Sequence, residues 1–352
     1  MSSRALSRSH GKEKMVRFGI VGFGLHAVKR LMPGFAQSKN CKVTALSRRN
    51  MAQAQESARQ YEVPLAFDSV AELCSFSEVD AVLVTTPNAL HLPDVLTAIE
   101  AGKAVLCEKP LAMNAAEARQ MVEAARQKNV RFGVAHVFRF DESVRKFREH
   151  VAAGAIGRPI FARSEFSFLA DPSHPRKWLY DARIAGAGPV FDIGVHCIDT
   201  LRFILQDEVV RVSAIANSDE RSGDVESAAA LTLEFSRGTL ATVMVSYRAE
   251  YRTPLEIVGD VGSLWADDAL NVEHLIQIEL RRGKEVVQRD EVSNHLAYAL
   301  QVDAFADWME GNSQFPAPGE EAWQNQEVLD AALRSIKSGK AEAVPRVLNQ
   351  KR

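Results

Sequence analysis

The chain has 352 residues, of which 46% are hydrophobic and 25% charged, a composition and length that suit a globular protein of two domains. A formal net charge of −2 provides no global basic field for nucleic acid or an anionic membrane surface. No run of about 18 apolar residues is present to span a bilayer, and Cys41, Cys74, Cys107 and Cys197 are too scattered for a zinc site or a disulfide framework.

Residues 1–14, MSSRALSRSHGKEK, are polar and basic and lack the apolar stretch of a secretory signal. They read as a disordered tail, with Met15 a candidate native start. Cys41 and Cys107 fall in or beside apolar runs, where a reduced thiol acts as a small hydrophobe, so a cytoplasmic location is expected.

From Val16 onward, apolar runs alternate with helical patterns. The expected strands are Val16–Val21, Lys42–Ser47, Asp80–Thr85, Ala104–Cys107 and Arg131–Ala135. The expected helices are Ala27–Gln37, Asn50–Tyr61, Ala89–Ala101 and Ala115–Lys128. Strands apolar almost throughout, separated by helices, predict a parallel α/β sheet covered on both faces. Asn114 with Glu117 makes a capping box for the last helix, and Gly102 follows its helix as a C′ glycine.

The turns after these strands carry the chemistry. Gly22-Phe23-Gly24-Leu25-His26-Ala27 stands between a strand and a helix, the context of a dinucleotide fingerprint. Its glycines allow backbone N–H groups to approach a pyrophosphate at the helix N-terminus. After the second strand comes Ser47-Arg48-Arg49 instead of a carboxylate for a ribose 2′-OH, which favours the 2′-phosphate of NADP over NAD. Thr86, Pro87, Asn88 and His91 follow the third strand as cofactor contacts. Asn88 doubles as a helix N-cap, and the reading of His91 as a structural residue is the stronger one. Glu108-Lys109-Pro110 ends the fourth strand, with Lys109 placed to bond a substrate oxygen or a developing alkoxide and Pro110 a candidate for a cis bond.

Beyond about residue 155 the pattern changes to strands at Pro159–Leu169, Val209–Asn217, Ala228–Phe235, Gly238–Tyr247, Leu255–Gly259, Ser263–Ala266, Ile276–Arg281 and Val286–Arg289. Hairpin turns are expected at Ser236–Gly238 and Arg281–Gly283. The result is a mostly antiparallel sheet, with helices near Gly194–Leu205, Leu296–Glu310 and Glu320–Ser338. In Gly186-Ala187-Gly188-Pro189-Val190-Phe191-Asp192-Ile193-Gly194-Val195-His196, the aspartate and histidine stand four apart. A regular helix would put them on one face, where a carboxylate raises the basicity of an imidazole. Asp192, His196 and Asp199 also form a weak metal-ligand set, without a thiol or second histidine nearby. Candidate substrate contacts are His136, Arg139, Arg163, Arg176 and Trp178, together with Asp192 and His196.

Taken together, GFGLHA, TPNALH, CEKPLA, HVFRF, GAIGRP and GAGPVFDIGVHCID resemble the glucose–fructose oxidoreductase/inositol dehydrogenase/rhizopine-catabolism (Gfo/Idh/MocA) family over about Met15 to Pro345. The resemblance implies an N-terminal Rossmann doubly wound parallel sheet at residues 15–137. It implies a C-terminal α/β domain at 138–352 with a large, mostly antiparallel open sheet, used for homodimer or homotetramer contacts. It implies catalysis by Lys109, Asp192 and His196. DIGVHCIDTLRFIL looks closest to anhydrofructose-reductase and sugar-dehydrogenase members, which favour NADP. Ala187 stands where many relatives carry a glycine, a change tolerated unless that residue needs positive φ.

The expected activity is hydride transfer between NADP(H) and a hydroxyl or carbonyl of a small sugar-like or polyol-like substrate, without nucleic acid or membrane partners. His196, positioned by Asp192, supplies the proton and Lys109 polarises the oxygen, with those two roles open to exchange. The rival readings are a non-catalytic NADP-binding sensor on the same fold and an NAD-dependent glycosidase.

Overall fold

Strand β1 (Val16–Val21) is apolar on both faces, and five of its six residues are buried, as expected for the centre of a covered sheet. The computed structural model describes residues 15–170, 176–220, 222–272 and 274–347; the expected tail at 1–14 lies outside them. With β2 (Cys41–Ser47), β3 (Leu65–Phe67), β4 (Ala81–Val84), β5 (Ala104–Cys107) and β6 (Phe132–Val134), β1 forms a parallel six-stranded sheet ordered β3-β2-β1-β4-β5-β6. The order reverses between β1 and β4, and such a reversal opens a crevice at the carboxyl ends of the strands.

The covering helices are α1 (Met32–Gln37), entered through a wide i→i+5 turn at Ala27–Leu31, α2 (Met51–Gln60), α3 (Val70–Ser75), α4 (His91–Glu100) and α5 (Ala115–Lys128). Asn114 caps α5 by accepting from the Glu117 N–H at 3.0 Å. The Glu117 carboxylate reaches back to accept from the Met113 N–H and from the Asn114 side-chain amide, each at 3.2 Å. β3 and α3 were not expected, being three and six residues long, too short for a periodicity to register. α6 (Glu142–Ala152) was also missed. It buries only Ser143, Val144 and Phe147 beneath a charged surface.

The second sheet has ten strands. β7 (Pro159–Leu169) leads through α7 (Ala182–Ala185) and α8 (Val195–Leu205) to β8 (Val209–Asn217), β9 (Ala228–Phe235), β10 (Leu240–Ser246), β11 (Arg248–Arg252) and β12 (Leu255–Gly259). β13 (Ser263–Ala266), β14 (Leu275–Arg282), β15 (Glu285–Ser293) and, after two helices, β16 (Glu342–Ala343) complete it. The order is β15-β14-β13-β12-β7-β10-β9-β8-β16, with β11 paired to β7. Every pairing is antiparallel except β7 with β10. Gly238, in the expected β9–β10 turn, has φ +91°, a conformation glycine adopts without steric cost. Along β10, Ala241, Val243 and Val245 are buried, while Leu240 and Met244 face outward and are exposed.

α9 (Ala297–Met309) packs on α1, and α10 (Gly319–Ser338) on α5, β8 and α8. The Val134 N–H also donates to the Ala317 carbonyl at 2.9 Å. The last helices thus close the first sheet as well as the second. Among the described residues, no helix is long and apolar enough to cross a membrane. All four cysteines are free and buried.

Candidate active site

The turns after β1, β2, β4 and β5 open on a cleft of about 1030 Å³. Gly22 and Phe23 donate backbone N–H bonds to the Ser47 carbonyl at 3.2 and 2.9 Å, folding the glycine turn against the end of β2. Gly22 has φ +83°, and a Cβ there would lie 2.6 Å from the Thr86 Cγ2. A Cβ on Gly24 would meet only the Gly22 carbonyl at 3.7 Å and would otherwise enter the cleft. An open backbone at the start of a helical turn fits the pyrophosphate of a dinucleotide.

The other expected cofactor residues divide. Phe23, Leu25, His26, Arg48, Arg49, Thr86, Pro87, Asn88, His91, Glu108 and Lys109 all line the cleft. Ser47 does not; it is buried, and its carbonyl holds the glycine turn. Arg48 donates to the Ser57 hydroxyl at 2.8 Å, which fixes its guanidinium beside α2, while Arg49 is exposed. Asn88 does not cap α4. Its amide donates to the Ala185 carbonyl at 2.8 Å and ties the β4 turn to α7. His91 is buried between the carbonyls of Thr86, at 2.8 Å, and Pro110, at 3.0 Å. Burial holds its pKa below the usual imidazole value. The Lys109–Pro110 peptide is cis. Glu108 accepts from or pairs with His26 at 2.9 Å; burial would raise its carboxyl, but His26 and then Lys109 hold it low.

Lys109, Asp192 and His196 meet in the same cleft. Nζ of Lys109 donates to the Asp192 carbonyl at 2.7 Å and to its Oδ1 at 3.1 Å. Oδ2 of Asp192 accepts from the Tyr247 hydroxyl at 3.0 Å. Burial opposes ionisation of Asp192, but Lys109 and then Arg176 outweigh it and hold its carboxyl well below the usual range. The hydrogen bonds of the Asp192 carboxylate go to Lys109 and Tyr247, and it acts on His196 through its charge, which raises the imidazole's pKa against the larger effects of burial and Lys109. The chain at Val190–Gly194 is a wide i→i+5 turn, so the four-residue spacing does not carry regular helical geometry. Burial, and then the Lys109 charge, keep the His196 imidazole neutral by pushing its pKa well down. The Glu226 carboxylate accepts from the Gly188 and Val190 N–H groups at 3.0 and 2.9 Å and holds this turn in place. Ala187 is not among the residues of positive φ, so it replaces glycine without strain.

Of the expected substrate contacts, Arg176 and Trp178 line the cleft and three others do not. Arg139 is buried behind it, bonded to Asp199 at 2.6 Å and to Glu321 at 3.1 Å. His136 is buried in the same network, beside Asn325 at 3.1 Å. A buried guanidinium needs such partners, and Asp199, weighed as a metal ligand, is one of them. Arg163 lies on the outer side of the second sheet, where it donates to Glu165 at 3.1 Å. Among the described residues no group of three His, Cys, Asp or Glu is placed to hold a metal ion. Tyr247 was missed, as were the cleft residues Arg30, Phe138, Phe166, Phe168, Tyr251, Asn271 and Tyr298. Phe166, Phe168 and Tyr247 fall in the expected strands and Arg30 and Tyr298 in the expected helices, where periodicity reads them as structural, and among these residues only Phe138, in HVFRF, stands in a quoted motif.

Residues 16–136 match the oxidoreductase family described as an NAD-binding Rossmann fold, and residues 144–265 match the GFO/IDH/MocA C-terminal domain. The 1,5-anhydro-D-fructose reductase of Ensifer adhaerens is 32% identical over 94% of this chain and 99% of its own length. An NADP(+)-dependent D-xylose 1-dehydrogenase of Haloarcula marismortui is 28% identical over 82% of this chain and 84% of its own. A levoglucosan dehydrogenase solved with NADH and levoglucosan superposes with a TM-score of 0.84 at 23% identity, covering 95% of this chain and 100% of that one; at that identity the likeness speaks to the fold.

Proposed function

The chain belongs to the Gfo/Idh/MocA family of oxidoreductases with an NAD(P)-binding Rossmann fold, and from that premise we propose that it passes hydride between NADP(H) and a secondary hydroxyl or carbonyl of a small sugar-like or polyol-like substrate. The observation that carries this reading is the contact of Lys109 with Asp192 inside the cleft that holds the glycine turn. Reductases and dehydrogenases of such substrates among its relatives support it.

The Gly22–His26 turn would hold the pyrophosphate and Arg48 with Arg49 the 2′-phosphate, Arg48 being already oriented by Ser57. When bound, the nicotinamide supplies or accepts the hydride. Two of the three N–H bonds of the Lys109 ammonium are committed to Asp192, which leaves the third for the substrate oxygen. Lys109 holds the proton at Nζ, gives it up as a carbonyl is reduced and recovers it as an alcohol is oxidised. Asp192 keeps that charge in place, and Tyr247 keeps Asp192 in place. His196, neutral and beside Lys109, orients the same oxygen by a hydrogen bond.

Homodimer or homotetramer contacts through the second sheet belong to this reading. They are supported by the exposed apolar side chains Phe161, Ile215, Leu240 and Met244 on that sheet. So does a cytoplasmic location, supported by the four reduced thiols. The test is a substrate screen with NADP⁺, NAD⁺ and their reduced forms, followed at the absorbance of the reduced nicotinamide. Redox turnover of a sugar or polyol sustains the proposal; nicotinamide that binds and is never oxidised or reduced across the screen removes it.

A further inference from the structure

A hydrogen bond joins the glycine turn to the segment that carries Lys109. Nε2 of His26 stands 2.9 Å from Oε1 of Glu108, and Oε2 of Glu108 accepts from the Lys109 N–H at 3.2 Å. His26 and Glu108 are 82 residues apart in sequence and line the same cleft as Gly22 and Gly24. The hydride transfer proposed above uses neither side chain. The His26 imidazole keeps 29% of its surface exposed and the Glu108 carboxylate 11%. Tyr298 of α9 meets the imidazole edge-on, with ring centroids 6.1 Å apart.

Burial would raise the Glu108 carboxyl, but His26 and then Lys109 hold it low, so Glu108 is an anion. A carboxylate only accepts hydrogen bonds, so Nε2 of His26 carries a hydrogen and donates it. A neutral imidazole has a single N–H, and its second nitrogen is then an acceptor. Among the described residues Nδ1 of His26 has no hydrogen-bond partner. The oxygens of a pyrophosphate are acceptors too. A neutral His26 offers them only a lone pair, whereas an imidazolium offers one N–H to the phosphate and one to Glu108. The other charged or titratable groups around the pair are Lys109, His91, Tyr298, Arg176 and Arg30. Burial keeps His91 neutral, and burial and then Glu108 keep the Tyr298 phenol protonated. Arg30 lines the cleft four residues on from His26 in its own segment.

Resting on the dinucleotide-binding part of the proposed function, we infer that His26 takes up one proton when the cofactor binds and holds it between the pyrophosphate and Glu108. The proton comes from solvent and adds to Nδ1, so that free protein, one dinucleotide and one proton give the complex. The imidazolium then stands between two negative groups with both of its N–H bonds used. Linkage fixes the sign: a proton taken up on binding makes affinity fall as pH rises through the range in which the free protein has lost that proton. The uptake is read above pH 7, where an imidazole outside such a bridge is mostly neutral.

The test is titration calorimetry of the full chain with NADPH at pH 8, in buffers of different ionisation enthalpy. At that pH the 2′-phosphate is already a dianion and takes no part in the count. Wild-type protein should take up more than about half a proton per NADPH bound, and its Kd should rise by about fivefold or more between pH 7 and pH 9. His26→Gln keeps an amide N–H toward Glu108 and cannot titrate. Glu108→Gln removes the anion that forces Nε2 to donate, so a neutral His26 can then give its hydrogen to the phosphate. Each variant should take up less than about a fifth of a proton, and the Kd of His26→Gln should change by less than about twofold over the same interval. Wild-type protein that binds NADPH without proton uptake overturns the inference and leaves the dinucleotide reading standing, as does uptake of wild-type size in either variant. Wild-type protein that binds neither NADPH nor NADH removes both.

Discussion

Nζ of Lys109 and Oδ1 of Asp192 lie 3.1 Å apart across 83 residues of sequence, and Tyr247 bonds the other oxygen of the same carboxylate. Lys109 ends a strand of the first sheet, and Asp192 and Tyr247 come from the second half of the chain. The site is therefore complete only when the two sheets are together. Tyr247→Phe removes one donor and leaves a buried carboxylate oxygen unpaired, which costs on the order of 1–3 kcal/mol. The expected outcome is a fall in kcat of about tenfold with a smaller change in KM, measured on any substrate that the screen identifies. An unaltered kcat would separate Tyr247 from the placement of Lys109.

Cofactor choice is tested at Arg48. Its bond to Ser57 orients a guanidinium beside the end of β2, where a bidentate grip on phosphate is available. Arg48→Ala should raise the Kd of NADPH by about tenfold or more and that of NADH much less, as read by nicotinamide fluorescence. Equal losses would count against recognition of a 2′-phosphate.

Gly22→Ala examines the turn itself. The residue has φ +83°, and its new methyl would stand 2.6 Å from the Thr86 Cγ2 and 2.9 Å from the Thr86 N. Left-handed backbone costs a non-glycine residue about 1–2 kcal/mol before any clash. The expected variant is less stable by thermal melt and binds neither NADPH nor NADH measurably. Wild-type affinity would show that the turn is not where the dinucleotide sits.

Stability should fall on the acid side of neutrality. Burial pushes the His136 pKa down to about 4, and it lowers those of His91 and His196 as well. Between an unfolded value near 6.5 and the lower folded value, the unfolded chain binds the extra proton. Stability is therefore full above about pH 6.5 and is lost as pH falls toward 4, by on the order of 2 kcal/mol at pH 5 for His136 alone. The melting temperature should drop between pH 7 and pH 5, and His136→Gln should flatten that drop relative to its own value at pH 7. A pH-independent melting temperature over that interval would contradict the assignment.

The sequence made the parallel sheet legible because β1, β2, β4, β5 and β6 are short apolar runs separated by helices with readable caps, as at Asn114. Lys109 and His196 were legible because their motifs stand directly after a strand and at the start of a helix. Arg139 was misread because a guanidinium looks the same in a sequence whether it meets a ligand or a buried carboxylate. Its partners, Asp199 and Glu321, lie 60 and 182 residues away. The hydrogen-bond partners of Asp192 were hidden for a related reason: Lys109 and Tyr247 are distant in sequence, and the i→i+5 turn at Val190–Gly194 has no sequence mark that periodicity detects. Tyr247 was hidden at the end of the expected strand Gly238–Tyr247, one residue past β10, where alternation says which side a residue faces and nothing of what a phenol will touch.

The measurement that bears most directly on the chemistry is turnover and NADPH affinity in Lys109→Met beside His196→Asn. Lys109→Met should bind NADPH within about threefold of wild type and lose about 10³-fold or more in kcat, while His196→Asn should lose about ten- to a hundredfold, within the range typical of acid–base and orienting groups. Wild-type kcat in Lys109→Met, with NADPH bound, would contradict the account.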